Sequence, residues 1–380
     1  MNSGESKETT GGGRLIFRFA RGIWYRIRAV VNGTATALGV LRSFLYDWRQ
    51  FLRWSATSRF EVDRTTLRAM IQMWCHTLEK GLSLAEPRTG FGIGNVDALF
   101  YHIPIYVRSF GTDGFVGVAL ATLGAYVEYH RSRAAAEPGL LERYESLKAL
   151  CGYRCGAEAE QQLAGVIPVT REQILAGARV DLEGFYKTRH SIRQFGPEHV
   201  GIELVRRAVA MAQRTPSACN RQPVRLYVVS ESRQKEQLLS VQKGSRGFGD
   251  QASHVLVVTS DLGCFNGAGE RNQCWVDGGM FAMSLVYALH SMGLGTCCLA
   301  WQPTRERDRG ARSIAGIREA EAIIMLIAVG SLPEELRVAK SQRKSLDEVL
   351  VVVAGNGESA RLGAAAAADT VRAGGERKST

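Results

Sequence analysis

The stretch GGMFAMSLVYALHSMGLGTCCLAWQPT, running from Gly278 to Thr304, decides what kind of chain this is. It contains no Asp, Glu, Lys or Arg and exceeds the roughly 20 apolar residues that a bilayer crossing needs. Three features turn the reading away from a membrane span. His290 sits inside it, Gly293-Leu294-Gly295 breaks it, and Cys297-Cys298-Leu299-Ala300-Trp301 reads as a strand. A buried helix, a glycine turn and a buried strand are therefore expected, in a globular protein.

Working outward, the same pattern repeats. Leu226–Val229, Val255–Thr259 and Ala322–Val329 are short β-branched strands, separated by helical stretches such as Leu204 to Arg214. Strands alternating with helices imply layered packing of helices on a sheet. Upstream, Val166 to Ala176 reads as a linker and a helix start, with Thr170 as N-cap and Gln173 completing a capping box. Past Val353 the chain turns to Gly, Ala and polar residues. Four segments follow: a basic, partly disordered and amphipathic segment at 1–60, a helical accessory domain at 61–165, an α+β domain at 178–353 and a flexible tail at 354–380.

Composition agrees, since 380 residues with 45% hydrophobic and 22% charged suit a two-domain globular chain. The net charge of +11 is unevenly placed. Residues 1–60 carry ten Lys/Arg against three acids, so the rest has little excess charge, unlike a nucleic-acid enzyme. The eight cysteines form no C-x-x-C pair, and Cys151 and Cys155 lack a matching second pair, so no metal is expected. With no secretory signal, reduced thiols in the cytoplasm are the simplest reading.

Met1 to Gly13 is polar and glycine-rich. On a helical wheel Arg14, Arg18, Arg21 and Arg28 share one side. Arg42, Arg49 and Arg53 do the same, opposite Leu41, Phe44, Leu45, Trp48, Phe51 and Leu52. Residues 14–54 thus suit peripheral contact with an anionic membrane, at the inner face of a cytoplasmic one. The preferred alternative packs the apolar face on the protein's own core. In the helical domain, Gly81 is expected as a left-handed cap after Lys80, and Gly114 to Val127 as a buried helix. His76, Glu79 and Lys80 share a helix face, as a polar site or as a cap and ion pair.

Three segments of the α+β domain offer chemistry. Arg189-His190-Ser191-Ile192-Arg193 places two guanidiniums, an imidazole and a hydroxyl within five residues, a set suited to a phosphate and a polar ring edge. Pro216-Ser217-Ala218-Cys219-Asn220-Arg221-Gln222-Pro223 is a proline-fixed loop whose amides suit a planar heterocycle. Lys340 to Val349 is a second cationic clamp or a solvated linker. Cys219 reads as a small packed residue rather than a redox thiol.

In this order, and with the helix from Asp277 running into Gly293-Leu294-Gly295, these segments resemble the nitroreductase family. Its pattern has an R-[RH]-S-x-R opening, a P-S-x-x-N-x-Q-P loop and a C-terminal R-[KR]-x-L motif. The resemblance implies an α+β fold with a mixed sheet flanked by helices, an obligate homodimer, and one FMN per subunit at the interface. It implies that Arg189, His190, Ser191 and Arg343 meet the FMN phosphate and ribityl chain, and that Arg193 meets the pyrimidine edge. Pro216, Ser217, Ala218 and Asn220 match the loop brought by the partner subunit, and Leu299 and Ala300 the backbone beside the ring. The implied activity passes hydride from NADH or NADPH through flavin to a small organic acceptor.

Two positions depart from the family. Lys243 to Gly249 replaces a stretch that often offers an amide to the ring, and Val224 stands where tryptophan is frequent. The N-terminal part, through Tyr46-Asp47-Trp48-Arg49, His76 to Ser83 and Arg88 to Gly92, resembles a long subgroup linked with cell-surface polysaccharide production. Alternatives are another flavin reaction on this fold, such as dehydrogenation, dehalogenation or flavin cleavage, and a membrane-held non-catalytic accessory role.

Overall fold

The computed structural model describes residues 34, 36–58, 63–133, 138–153, 162–301, 304–353 and 359–360. The expectations for Met1 to Gly13, for Arg14, Arg18, Arg21 and Arg28, for Cys155 and for most of the tail lie outside these residues. The chain divides into two compact units, one ending at Leu336 and one beginning at Arg337.

The first unit opens with helices. Residues 36–54 form α1, followed by α2 (Arg64–Leu82), α3 (Ile93–Phe110), α4 (Gly114–Arg131) and α5 (Leu140–Leu150). Capping fixes their starts. The Asp63 carboxylate accepts from Thr66 N at 3.0 Å, and Asp113 accepts from Phe115 N and Val116 N. Helices α2 to α5 share a core of Leu78, Val96, Leu99, Leu120, Leu123, Tyr126 and Tyr144, with α4 buried along most of its length as its apolar sequence requires. Gly81 corrects the expectation of a left-handed cap. It lies inside α2, which runs on to Leu82, and a Cβ there would overlap the Phe91 ring. The left-handed glycines are Gly90 and Gly92 in the following loop. His76 Nδ1 and Glu79 Oε2 stand 3.7 Å apart, an ion pair when the imidazole is protonated, and Glu79 also accepts from Gly165 N.

Helix α1 corrects a second expectation. Phe51 and Trp54 pack against Leu262, Cys264 and Phe265, and Tyr46 donates to Asp308 at 2.7 Å. Leu38, Leu41, Phe44, Leu45 and Trp48 are instead exposed. The helix seats on its Tyr46-Gln50-Trp54 side, where polar groups at i and i+4 find partners, and most of its apolar stripe faces away.

The rest of this unit is the α+β domain. Two short helices, α6 (Arg171–Gly177) and α7 (Leu182–Thr188), precede α8 (Ile202–Ala212). The capping box at α6 is present, with Thr170 Oγ accepting from Gln173 N and Gln173 Oε1 from Thr170 N. Then come β1 (Val224–Val229), α9 (Ser232–Val241), β2 (His254–Asp261), α10 (Gln273–Ser291), β3 (Gly295–Ala300), α11 (Arg305–Ala315) and β4 (Glu321–Gly330). The four strands run β1-β2-β4-β3, antiparallel throughout, and the parallel component is a single bridge from Ser191 to Thr296 at the β3 edge. Gly278 to Ala300 is thus helix, turn and strand, with Gly293 left-handed at the turn. Among the described residues no helix is long and apolar enough to cross a membrane.

Strand alternation buries both faces. Val255, Val257, Leu326 and Ala328 pack with Leu238 of α9 and Ala311 of α11. Leu256, Val258, Ile327 and Val329 pack with α8 and α10 through Val205, Ala208, Leu285 and Leu289. A bulge after Val258 leaves Ile324 without a ladder partner, and its side chain presses on α10 at Gly278, where a Cβ would stand 2.5 Å from Ile324 Cγ1. Helical and sheet regions meet where the start of α2 rests on the turn after β2, with Thr65 Cγ2 3.3 Å from where a Cβ at Gly263 would be.

The second unit is small. Lys340 to Ser345 is exposed, α12 (Leu346–Val349) is capped by Ser345 with Glu348, and β5 (Val352–Val353) pairs with β6 (Ser359–Ala360).

Candidate functional site

The R-H-S-I-R segment is held by the sheet. Ile192 N donates to Thr296 O at 2.8 Å, which lays Arg189 to Arg193 alongside β3. Leu299 and Ala300 lie at the far end of the same strand, where they pair with Leu326 and Met325 of β4. The segment's start is fixed by α7 and α10. Thr188 Oγ and His290 Nε2 are in hydrogen-bond contact at 3.2 Å, and Phe185 stacks obliquely on His290 with centroids 4.8 Å apart. Burial, with the nearby charges of Arg189 and His190, holds the His290 imidazole below its ordinary value.

Among the described residues neither Arg189 nor Arg193 forms an ion pair or a hydrogen bond through its side chain. Their charge is felt by the neighbouring strand. Burial raises the Cys297 thiol and Arg193 opposes that rise, while Arg189 acts in the same lowering sense on the thiol of Cys298, an exposed residue of the same strand. Ser191 and His190 are half-buried beside them. Two guanidiniums without counter-charge, a hydroxyl and an imidazole on one edge can receive an anionic, multi-oxygen ligand.

The P-S-A-C-N loop stands elsewhere. It enters β1, at the edge of the sheet opposite β3, about 14 Å away at three inter-strand spacings. One chain therefore does not bring Pro216, Ser217, Ala218 and Asn220 to Arg189 and Arg193. The loop is tightly built. Ala218 N donates to Asp277 Oδ2 at 3.1 Å, Gln273 donates to Asp277 Oδ1 at 2.8 Å, and Gln222 N donates to Ser217 Oγ at 3.0 Å. Arg221 is buried, donates from Nε to Ala218 O, and meets Glu270 in a bidentate pair at 2.6 and 2.8 Å. Burial opposes both charges, yet the pairing keeps the Arg221 guanidinium above and the Glu270 carboxyl below their usual ranges. Cys219, Asn220 and Gln222 have φ of 50°, 52° and 48°, a left-handed winding that side chains adopt only when their surroundings impose it.

Sequence reasoning missed three positioning residues. Asp277 was quoted only as a helix start, yet it is the one acid in the apolar helix α10, and that isolation was its signal. Glu270 carried none. Gln242 was also missed: its Nε2 donates to Ala300 O at 3.1 Å and its Oε1 accepts from Gly244 N at 2.7 Å. Thus the departing segment from Lys243 to Gly249 is anchored to the end of β3. Arg343, in the second unit, is exposed and donates to the Ser341 carbonyl. Burial pushes the Cys75 and Cys274 thiols up to about 12, which leaves them unreactive.

Comparison with known proteins agrees with the motif reading. The Nitroreductase family model matches residues 186–246 and 233–331, so this part of the chain is a nitroreductase-family domain. A protein of Methanothermobacter thermautotrophicus, provisionally named an NADH dehydrogenase/NAD(P)H nitroreductase, is 25% identical over 154 residues, covering 40% of this chain and 78% of its own. A nitroreductase family protein from Streptococcus pneumoniae is 23% identical, covers 45% of this chain and 98% of its own, and has a TM-score of 0.39. A provisionally assigned nitroreductase from Desulfovibrio desulfuricans, solved in complex with FMN, is 21% identical over 45% of this chain and 96% of its own, also with a TM-score of 0.39.

Proposed function

We propose that residues 178–353 form an FMN-dependent oxidoreductase that takes electrons from NADH or NADPH and delivers them to a small organic acceptor. One observation carries the reading: Arg189 and Arg193 lie along β3 with no counter-charge among the described residues. That donor set fits FMN, whose phosphate needs cationic forks and whose ring edge needs a cation and polar contacts. When bound, FMN supplies the two-electron transfer chemistry.

The chain's own residues bind, orient and exclude water. Arg189, His190 and Ser191 hold the phosphate and ribityl chain, with Arg343 as a further cation on the strength of its sequence motif. Arg193 keeps a positive charge at the pyrimidine edge, and the backbone of Leu299 and Ala300 lines the ring. The loop from Pro216 to Asn220, on the far edge of its own sheet, reaches the flavin of a second copy, which is why the active form is a homodimer. No side-chain acid or base is assigned to the hydride step.

The exposed row Leu38, Leu41, Phe44, Leu45 and Trp48, flanked by Arg42 and Arg49, supports peripheral binding to the inner face of an anionic membrane. Polysaccharide production is the proposed setting, on the resemblance of the N-terminal motifs. The visible spectrum of the purified protein tests the central reading. A yellow protein bleached anaerobically by NADH or NADPH supports it, and a colourless one that refuses added FMN overturns it.

A further inference from the structure

A cavity of about 540 Å³ lies between the start of α2 and the P-S-A-C-N loop with its following strand. Five arginines line it: Arg64 and Arg68 from α2, Arg221 and Arg225 from the loop and β1, and Arg318 from the turn before β4. Its one acidic wall residue is Asp261. We infer that this cavity binds a phosphate-bearing small organic molecule, at a place separate from Arg189 and Arg193.

The charges there are unequal in role. Arg221 is spent on Glu270 and Ala218, and Arg318 on Asp261 and Glu321 at 2.5 and 2.6 Å. Those two form the floor. Arg64 holds Asp113 at 2.7 Å and Arg225 sits 3.4 Å from Glu321, but both side chains are more than half exposed and keep donors free. Arg68 forms no ion pair among the described residues, and its guanidinium lies 4.7 Å from the Phe115 ring centroid.

Arg64 is offset by Asp113, but Arg68 has no such partner among the described residues. The two arginines stand one turn apart on the same helix face, so they repel each other. Arg225 adds a third positive head across the cavity. A phosphate group offsets the charge of all three, because guanidinium forks recognise anionic oxygens. The remaining volume, with Gln72, Asn220 and Gln222 for polar contacts and Ala69, Pro223 and Val224 as apolar wall, accommodates an organic body of nucleotide or sugar-phosphate size.

The inference stands without the flavin; only its consequence leans on the function proposed above. A ligand bound here would touch Asn220 and Gln222, in the loop assigned to the flavin of a second copy. The acceptor or its carrier would then be recognised through its phosphate.

The test is calorimetric titration of the full-length protein with inorganic pyrophosphate at physiological ionic strength. Saturable binding at one site per chain is expected. Arg68→Gln and Arg225→Gln should each weaken it by about tenfold or more, with Arg68→Lys recovering part of the loss. No saturable binding at millimolar pyrophosphate, or unchanged affinity in both glutamine variants, overturns the inference. The spectrum of the same samples reports flavin separately. A protein that stays colourless after FMN is added yet binds pyrophosphate keeps this site and sinks the flavin reading, whereas one that takes up FMN and ignores pyrophosphate does the reverse.

Discussion

The carboxylate of Asp277, on α10, accepts the backbone N–H of Ala218 at 3.1 Å, although the two residues are 59 positions apart. A buried acid in the second turn of an apolar helix is thereby explained as the anchor of the P-S-A-C-N loop. Removing it leaves an amide N–H without a partner, at a cost of about 1–3 kcal/mol. Asp277→Ala should lower the unfolding free energy measured in urea by that amount and weaken flavin retention, while Asp277→Asn should keep most of both. Equal behaviour of the two variants would show that only volume matters at this position.

Flavin retention should fall with the unpaired arginines. Loss of a charge-assisted phosphate contact costs about 1.5–3 kcal/mol, so Arg189→Ala should raise the FMN dissociation constant roughly ten- to hundredfold. Arg343→Ala should act in the same direction. Dialysis followed by the absorbance ratio of flavin to protein measures it, and full retention in both variants refutes the assignment.

Glu270 and Arg221 make an asymmetric pair. The Arg221 side chain is 3% exposed and Glu270 is 30% exposed. Glu270→Ala strands a buried guanidinium and should cost about 3–5 kcal/mol, more than Arg221→Met, which leaves a carboxylate that still reaches water. Chemical denaturation of both single variants and the double variant checks this. If Arg221→Met is the worse of the two, the ranking is wrong.

Acid should destabilise the fold through His254. Burial is the main cause that holds this imidazole below its ordinary 6.5, despite its bond to the Val200 carbonyl, and His199 and Lys235 add to the depression. The unfolded chain therefore takes up the proton first as pH falls. Stability from this group is level above about pH 6.5 and is lost from there down through the folded-state value. Melting temperatures should decline over that window, and His254→Asn should flatten the decline.

Helix α1 should divide into two behaviours. Trp54→Ala removes a side chain packed against Phe265 and its neighbours and should lower the melting temperature. Phe44→Ser with Trp48→Ser alters only exposed positions, so it should leave melting unchanged and reduce sedimentation with phosphatidylglycerol vesicles. If that variant changes oligomeric state and not vesicle binding, the exposed row is an interface between copies.

Much of this architecture is written locally. β-branched runs gave the strands, Thr170 with Gln173 gave a helix start, and Gly293 gave the turn that divides an apolar stretch into helix and strand. Local pattern has less to say about direction. The wheel of α1 identified an apolar stripe, but the side that seats on the protein was chosen by Tyr46, Gln50 and Trp54 meeting partners such as Asp308, 262 residues on from Tyr46. Gly81 was misassigned for the same reason, since Phe91 comes from another segment. At the candidate site, Arg189 to Arg193 and the P-S-A-C-N loop were legible as motifs. Their supports, Asp277, Glu270 and Gln242, act across long sequence separations and leave little trace in a single chain.

The left-handed winding at Cys219, Asn220 and Gln222 has a thermodynamic corollary. A segment already locked by its neighbours surrenders little freedom when something docks on it, so most of the contact energy goes to affinity. Rigidity of that kind also narrows choice. Partners that match the preset shape are admitted, and those requiring the turn to unwind are turned away at the cost of breaking its anchors.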